Sequence, residues 1–443
     1  MSRNKEYILI LSLLMGTILV PINSTMIAVG LSSISDFFNE SIASISWIVT
    51  IYLIVMAVTQ PIAGKLGDIY GNRRMYIWGI SLFLLASVGC AFSPNVLLLI
   101  VFRSLQAIGG ALLTPNSMAI VRHTVEKGRL AKVLGLLGMG MGLGAALGPL
   151  IGSVLIDSFG WQSIFWVNVP FLLFAFLSAI FIIPNVDTTN PVPLDIPGAI
   201  YLAISFTLFI LLTHPHRPIT YFMMGACLLT FSYLFVRREK RAPAPLIHFG
   251  LFHNRTFTSA NLSILLSNFT MYAILLMMPL LMTSQFQLST SQSGLVLSCF
   301  SISMSVAGWI GGHITSKFGS RKIISLSFAC MTGANLLFFF LSDVRSISYL
   351  VLTLLWGGLA IGIGTPGMQT SSLESVDKSM AGIASGIFST FRYFGSMVAS
   401  TLVGLVLNSH ILFMALLLAS VLGIITAQGI GRRASVTPVS NTR

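Results

Sequence analysis

The stretch Gly64–Arg74, GKLGDIYGNRR, decides the fold because a second copy of it occurs later in the chain. That copy is Gly312–Lys322, GHITSKFGSRK, and both copies fit the pattern G-x-x-x-[DS]-x-[YF]-G-x-[RK]-[RK]. The first copy follows the second long apolar run of the sequence, and the second copy follows the tenth. Matching glycines at matching offsets indicate two homologous halves of six runs each, with two further runs inserted between them.

The apolar runs around this repeat are long enough to cross a membrane, which takes roughly 20 residues. Fourteen such runs cover roughly 7–31, 45–63, 75–92, 95–121, 131–156, 163–183, 197–213, 219–236, 257–284, 293–314, 322–341, 347–370, 380–407 and 410–428. Backbone groups must be satisfied within each segment in lipid, so the runs are predicted to be helices. The predicted fold class is an all-α integral membrane protein: two six-helix bundles plus two inserted helices.

The composition excludes an ordinary soluble enzyme and a nucleic-acid binder. Hydrophobic residues make up 55% of the 443 residues and charged residues only 8%, whereas soluble proteins carry about 25% charged residues. Neither the zinc-protease motif H-E-x-x-H nor the phosphate-loop motif G-x-x-x-x-G-K-[ST] occurs. The seven histidines show no metal-ligand spacing. We therefore expect no enzymatic activity, no cofactor and no metal.

The net charge of +13 is a topology signal. With a cytoplasmic N-terminus, 21 of the 25 Lys and Arg residues fall in cytoplasmic segments, Arg217 and Arg345 fall outside, and Arg103 and Arg392 lie inside helices. This is a strong positive-inside bias. It predicts a multi-pass protein of the cell membrane, in a bacterium the inner membrane, with both termini cytoplasmic.

The predicted organisation follows from the repeat. It places an N-terminal six-helix bundle over 1–190, two inserted helices over 191–240, a cytoplasmic linker over 241–256 and a C-terminal six-helix bundle over 257–443. Repeats packed about a central site are the usual build of secondary transporters. We expect a monomer that is surrounded by membrane lipids and that binds protons and a small-molecule substrate.

Two motifs lie inside predicted helices. Helix four carries Arg103–Gly110, RSLQAIGG, and an arginine near mid-membrane costs roughly 2.5–3.5 kcal/mol by insertion scales, so it should face a cavity or a polar partner. Helix five carries Gly138–Gly152, GMGMGLGAALGPLIG. Glycines at spacing four let helices approach closely, and proline kinks a helix. The residues predicted to act as a hinge between access states are Gly144, Gly148, Pro149 and Gly152.

With these motifs the chain resembles the major facilitator superfamily, in particular its fourteen-helix drug:proton antiporters, over nearly its whole length. The helix-five run is similar to the antiporter signature, which marks exporters. Further resemblance is carried by three stretches: Gly160–Pro170 (GWQSIFWVNVP), Leu194–Gly198 (LDIPG) and Ala384–Gly395 (ASGIFSTFRYFG).

The repeated stretch looks like the family's signature loop, which acts as a cytoplasmic latch between the halves. The resemblance implies a latch formed by Gly64, Asp68, Gly71, Arg73 and Arg74. Asp68 can accept hydrogen bonds from a helix N-terminus or pair with either arginine. Ser316 replaces the acid in the second copy, so we expect a weaker latch there.

One position departs from the family pattern. Helix one of the family carries a carboxylate inside the membrane, and Asn23 stands there in this chain. Asn23 can hydrogen-bond Arg103 at a similar depth but cannot titrate. This puts the family's proton site and its preference for cationic drugs in doubt. The remaining proton-coupling candidates are Arg103, Asp36 and Asp157.

Six polar, aromatic or methionine residues are predicted to line the substrate cavity. Its candidate lining residues are Asn23, Gln60, Asn116, Met139, Asn268 and Tyr272, although each could equally serve helix packing. The leading hypothesis is an exporter of small amphipathic compounds such as drugs, working by alternating access and coupled to the proton gradient. The alternative is a flippase for a lipid or lipid precursor, or a proton-independent facilitator, with the same fold.

Overall fold

The apolar runs fold into helices, as backbone in lipid requires. The computed structural model describes residues 3–184, 195–212, 218–242, 245–288, 290–341, 344, 346–405 and 409–431. Its α-helices are α1 (Arg3–Phe38), α2 (Ile42–Tyr70), α3 (Asn72–Ala91), α4 (Val96–Thr124), α5 (Lys127–Phe159), α6 (Ser163–Trp166), α7 (Asn168–Ile182), α8 (Ile196–Leu211), α9 (Pro218–Glu239), α10 (Arg255–Ser284), α11 (Thr290–Phe318), α12 (Ser320–Phe339), α13 (Ile347–Glu374), α14 (Ala381–Leu405) and α15 (Ser409–Gln428). Two 3₁₀ turns, Phe249–His253 and Lys378–Met380, precede α10 and α14.

The fourteen predicted runs each coincide with a helix of the structure. Val167 separates α6 from α7, and these two helices together form the sixth run. Within the described residues, eleven helical segments are long and apolar enough to cross a membrane, and a shorter apolar helix covers Ile196–Phe209. The all-α membrane fold is confirmed.

The two copies of the repeated stretch have the same local backbone. Gly71 joins α2 to α3 with a φ of +95°, and Gly319 joins α11 to α12 with a φ of +87°. Glycine adopts positive φ readily because it has no Cβ. A glycine at this offset therefore permits the same tight turn in both halves.

Helix packing repeats as well. In the first half α1 packs on α5 and α3 on α4, and in the second half α10 packs on α14 and α12 on α13. Between the halves, α2 packs on α14 while α5 packs on α11. Helix α2 is the equivalent of α11, and α5 is the equivalent of α14, so each pair is the symmetric counterpart of the other. The halves therefore meet with pseudo-twofold symmetry.

The helices alternate in direction and define two faces. We call the end where α1 begins and α2 ends the basic face, because Arg74, Arg122, Lys132 and Lys317 stand at helix ends there. The other end is the opposite face. The chain leaves the first half at the end of α7 and enters the second half at the start of α10, and both points lie at the basic face.

The inserted helices α8 and α9 pack on each other and touch both halves. Helix α8 contacts α2, and its Phe206 and Phe209 rings lie 6.4 and 5.5 Å from the ring centre of Phe394 on α14. At the basic face, Arg238 on α9 pairs with the buried Asp195 before α8, with the guanidinium Nε 3.0 Å from Oδ1. The pair forms one helical hairpin beside the α2–α14 interface.

Candidate functional site

A central cavity of about 190 Å³ lies between the halves. Eight helices line it: α1, α2, α4 and α5 from the first half and α10, α11, α13 and α14 from the second. These are equivalent sets under the pseudo-twofold relation. A change in the angle between the halves would therefore reshape the cavity from both sides.

The cavity wall is mostly apolar and adaptable. Five methionines line it: Met56, Met118, Met141, Met271 and Met304. Methionine has three rotatable bonds and a polarisable sulfur, so it adjusts to ligands of different shape. Aromatic rings from Tyr52, Tyr272, Phe388 and Tyr393 add flat apolar surface. Such a wall suits amphipathic compounds better than a single polar solute.

A fully buried arginine stands behind this wall. Arg103 on α4 is 0% exposed and donates from Nη1 to Asn23 Oδ1 and, at 2.6 Å, to Gln106 Oε1. Its guanidinium carbon lies 4.1 Å from the ring centre of Tyr52. Tyr52 itself lines the cavity. Gln106 passes the network on by donating to Ser87 Oγ at 2.7 Å.

The Arg103 cluster contains amides, a hydroxyl and an aromatic ring but no carboxylate in the part of the chain that the structure describes. Burying a cation without a counter-ion is costly, and hydrogen bonds and a π-face offset only part of that cost. Asn23 occupies the place where a helix-one acid would pair with the guanidinium. The contact between Asn23 and Arg103 agrees with their similar predicted depth.

The halves are joined at the basic face by Asp68. Its two carboxylate oxygens accept hydrogen bonds from the backbone nitrogens of Gly382 and Ile383, each at 2.7 Å. These amides are in the first turn of α14, where free N–H groups and the helix dipole favour an anion. Of the two predicted options for Asp68, the structure shows the helix N-terminus, and that helix belongs to the other half.

Close backbone packing supports this junction. A Cβ on Gly64 would overlap the carbonyl oxygen of Gly382, so glycine is needed for α2 to reach α14. In the symmetric position, a Cβ on Gly312 of α11 would lie 2.5 Å from the carbonyl oxygen of Ala131 on α5. Ser316, which replaces the acid there, donates to His313 O of its own helix at 2.7 Å. The second copy keeps the packing and lacks the ionic junction seen at Asp68.

Three arginines at the basic face have different surroundings. Arg122 at the end of α4 donates from Nε to the carbonyl oxygen of Leu373 on α13 at 3.1 Å, which adds a third hydrogen bond between the halves to the two at Asp68. Arg73 donates to Ile180 O on α7 at 2.6 Å, within the first half. Arg74 is exposed. Asp68 and Arg122 thus both join the two halves near this face.

The glycine run of α5 packs against α1. A Cβ on Gly144 would lie 2.8 Å from Ile22 Cγ1, one on Gly148 would overlap the Thr25 hydroxyl, and one on Gly152 would lie 3.2 Å from the Cα of Met26. The stripe recurs every four residues, as expected for one helix face. Pro149 lies within the helix, but its side chain is outside the described residues.

The six predicted cavity residues have three different placements. Asn268 and Tyr272 line the cavity, and Asn23, Gln60 and Asn116 lie buried behind its wall. Gln60 donates to Met56 Sδ at 3.6 Å, and Asn116 donates to the carbonyl oxygens of Ala63 and Leu112 at 3.2 and 2.8 Å. Met139 is half-buried on α5, where its neighbours Gly138 and Met141 line the cavity instead.

The predicted proton-coupling residues are not brought together. Asp36 and Asp157 are exposed at the opposite-face ends of α1 and α5. Asp36 follows Asn23 by 13 residues, which is roughly 20 Å along a helix. Arg103 has no acid beside it within the described residues, where no group of His, Cys, Asp and Glu that could hold a metal ion occurs either.

Three further residues of the candidate site were not among the predicted site residues. Tyr52 separates Arg103 from the cavity, Arg122 crosses the interface, and Arg392 on α14 lines the cavity. The sequence does place Arg392 inside a helix, and an intramembrane arginine is itself a signal of a functional site. Tyr52 and Arg122 carry no comparable signal, because a tyrosine in a helix and a basic residue at its end are common.

Comparison with known proteins decides the family, because the sequence matches the Major Facilitator Superfamily over residues 13–400. The chain belongs to the major facilitator superfamily. It is 60% identical to the MFS-type transporter YvkA of Bacillus subtilis (strain 168), over 97% of each chain. It is 28% identical to the multidrug transporter protein MdtP of the same organism, over 92% of this chain and 76% of that one.

The fold of this major facilitator protein has solved counterparts. The proton:xylose symporter XylE superposes with a TM-score of 0.70 at 15% identity, covering 97% of this chain and 95% of that one. At that identity the likeness concerns the fold alone. Membership of the superfamily makes the chain a membrane transporter and not an enzyme.

Proposed function

We propose that the protein exports small amphipathic compounds, including drugs and other antimicrobials, by alternating access coupled to proton antiport. The observation that carries this proposal is the apolar, methionine-rich cavity between two symmetric halves that are joined at one face. A cavity with an adaptable wall accepts varied apolar bodies. Closure at one face leaves the site available to the other.

The architecture supplies a means of switching. The hydrogen bonds that Asp68 accepts and the one that Arg122 donates join the halves near the basic face and would break if the halves rocked open there. The glycine stripe on α5 lets that helix move along α1 without bulky side chains interlocking. Resemblance to MdtP and to the antiporter signature of α5 favours export of drugs over uptake of nutrients.

The orientation is part of the proposal. The basic face is placed in the cytoplasm by the positive-inside rule, which puts both termini there and the protein in a bacterial inner membrane. The structure would then correspond to the cytoplasm-closed state. We propose a monomer, because each chain contains both halves and a complete cavity.

A specific observation favours a second candidate. Asn23 contacts Arg103 where a titratable acid would couple transport to protons, and Asp36 and Asp157 are exposed at the opposite-face ends of α1 and α5. A proton-independent facilitator, or a flippase for a lipid or lipid precursor, needs no such acid. For proton antiport, the candidate coupling residues remain Arg103, Asp36 and Asp157.

The test is transport in proteoliposomes loaded with a pH-sensitive dye. A panel of cationic, neutral and anionic drugs is added, and drug flux and internal pH are followed together. Substrate-dependent proton movement in the opposite direction would support proton antiport. Drug export that continues unchanged after the proton gradient is collapsed would reject proton antiport and support the proton-independent facilitator. Movement of a fluorescent lipid with no drug flux would reject drug export and support the flippase.

A further inference from the structure

Arg392 gives the central cavity a single positive charge. It stands on α14 about 11 residues from the helix start, which is roughly 16 Å from the basic face, and its side chain lines the cavity and is half-buried. The cavity-lining residues that the structure describes include no Asp, Glu, Lys or His. An ionised ligand in this cavity therefore meets one fixed cation.

Arg392 has no carboxylate partner among the described side chains. Its guanidinium carbon lies 5.3 Å from the ring centre of its neighbour Tyr393, and the ion pairs found in the described ranges, at Arg129–Glu6 and Arg238–Asp195, are elsewhere. A cation held in a low-dielectric wall with an aromatic neighbour is incompletely compensated. A ligand that brings its own anion would complete the pair.

Arg103, which is fully buried, adds a second positive charge near the cavity. Arg103 lies behind Tyr52, which itself lines the cavity, and no acid neutralises it in the described structure. Charges interact over longer distances when little water lies between them. Both guanidinium groups therefore attract an anion and repel a cation in the cavity.

The wall next to Arg392 fits the rest of an amphipathic anion. Phe388, Arg392 and Ser396 all line the cavity at spacing four on one face of α14. Tyr272 faces the same space from α10. An acid group on Arg392 would place an aromatic body beside these rings, where stacking and burial stabilise it.

We propose that the cavity binds small amphipathic organic anions, with the acid group of the ligand paired to Arg392 and its aromatic body against Phe388 and Tyr272. This inference rests on the proposed export function and names its substrate class. It reverses the charge preference that the family resemblance implies, and the reversal has a physical cause: the helix-one acid is Asn23, whereas the arginine on α14 is present.

The test measures binding to purified full-length protein with three naphthalene compounds that differ only in charge. These are 1-naphthaleneacetate, 1-naphthaleneacetamide and 2-(1-naphthyl)ethylamine, each measured by equilibrium dialysis in uncharged detergent. A charge-assisted hydrogen bond corresponds to roughly a 10- to 100-fold change in Kd. We expect the acetate to bind at least tenfold more tightly than the amide, and the amine to bind most weakly. Equal affinities, tighter binding of the amine, or no binding by any of the three would overturn the proposal.

Variants locate the effect at Arg392. Arg392→Gln should remove the tenfold preference for the acetate while amide binding, which also reports folding, stays within about twofold. Arg392→Lys should retain part of the preference, since the charge remains and the paired hydrogen bonds are lost. Arg237→Gln at the exposed end of α9 is the matched control and should leave all three affinities unchanged. An undiminished preference in Arg392→Gln would place the anion elsewhere and reject the site.

Two additional experiments ask whether the bound anion is a lipid and whether the protein transports the anions that it binds. Dihexanoyl phosphatidic acid is added as a competitor, and Arg392-dependent displacement would support the anion site and assign its ligand to lipid. The three naphthalene compounds are then tested for transport in phosphatidylcholine vesicles. Anion binding without transport would reject export and keep the anion site, whereas transport without charge preference would reject the anion site and keep export.

Discussion

Asp68→Asn should weaken the junction at the basic face by an amount that the geometry defines. Asp68 accepts two hydrogen bonds of 2.7 Å from the amides of Gly382 and Ile383, and a hydrogen bond to a charged group contributes about 1.5–3 kcal/mol. Asparagine keeps one acceptor oxygen and loses the charge, so one bond is lost and the other becomes weaker. We expect a loss of about 2–3 kcal/mol, which corresponds to about a 30- to 150-fold larger open population.

Hydrogen exchange measured by mass spectrometry in lipid nanodiscs reads this population directly, because amides exchange only when their hydrogen bonds open. Exchange should rise at the start of α14 and at the end of α2, on both sides of the junction. Asp377→Asn is the matched control, since Asp377 is exposed in the neighbouring loop and its side chain caps no helix. Unchanged exchange in Asp68→Asn, or an equal rise in Asp377→Asn, would refute the junction.

Two further predictions concern packing and the buried arginine. Gly148→Ala should lower the unfolding temperature, because its Cβ would overlap the Thr25 hydroxyl and overpacking costs about 1–3 kcal/mol. Gly138→Ala is the control, since a Cβ at that position has nothing within 4 Å. Equal unfolding temperatures of the two variants would contradict close packing of the glycine stripe on α1. Asn23→Asp should bring a carboxylate to Arg103 and shift binding toward cations by roughly tenfold. An unchanged order of affinity for the naphthalene series would show that this charge does not reach the cavity.

Much of the fold could be predicted because its signals are local. The apolar runs had to become helices in lipid, and the repeated glycines at positions 71 and 319 had to permit matching turns. The contact of Asn23 with Arg103 was also foreseeable, since both stand at similar depth in their helices. The partner of Asp68 was not, because the amides it binds are more than 300 residues away and belong to the other half.

The candidate cavity was harder to predict for a geometric reason. Gln60 and Asn116 are polar residues in membrane helices, like Asn268, yet they bond to neighbouring residues in the first half and do not line the cavity. A helix has several faces, and a sequence without its neighbours does not specify which face meets the centre. Arg392 could be recognised as an intramembrane charge, but its access to the cavity depends on how α14 is rotated.

The sequence by itself determined the all-α membrane class of the molecule, the internal repeat and the family, because lipid leaves the backbone few alternatives and the motifs are contiguous. Tertiary structure decided which charged groups form hydrogen bonds between the halves and which arginine lines the cavity. Arg103 lies behind Tyr52, whereas Arg392 lines the cavity directly. The physical reason is that the free energy of a charge depends on its partners and on its access to the cavity, and packing alone sets both.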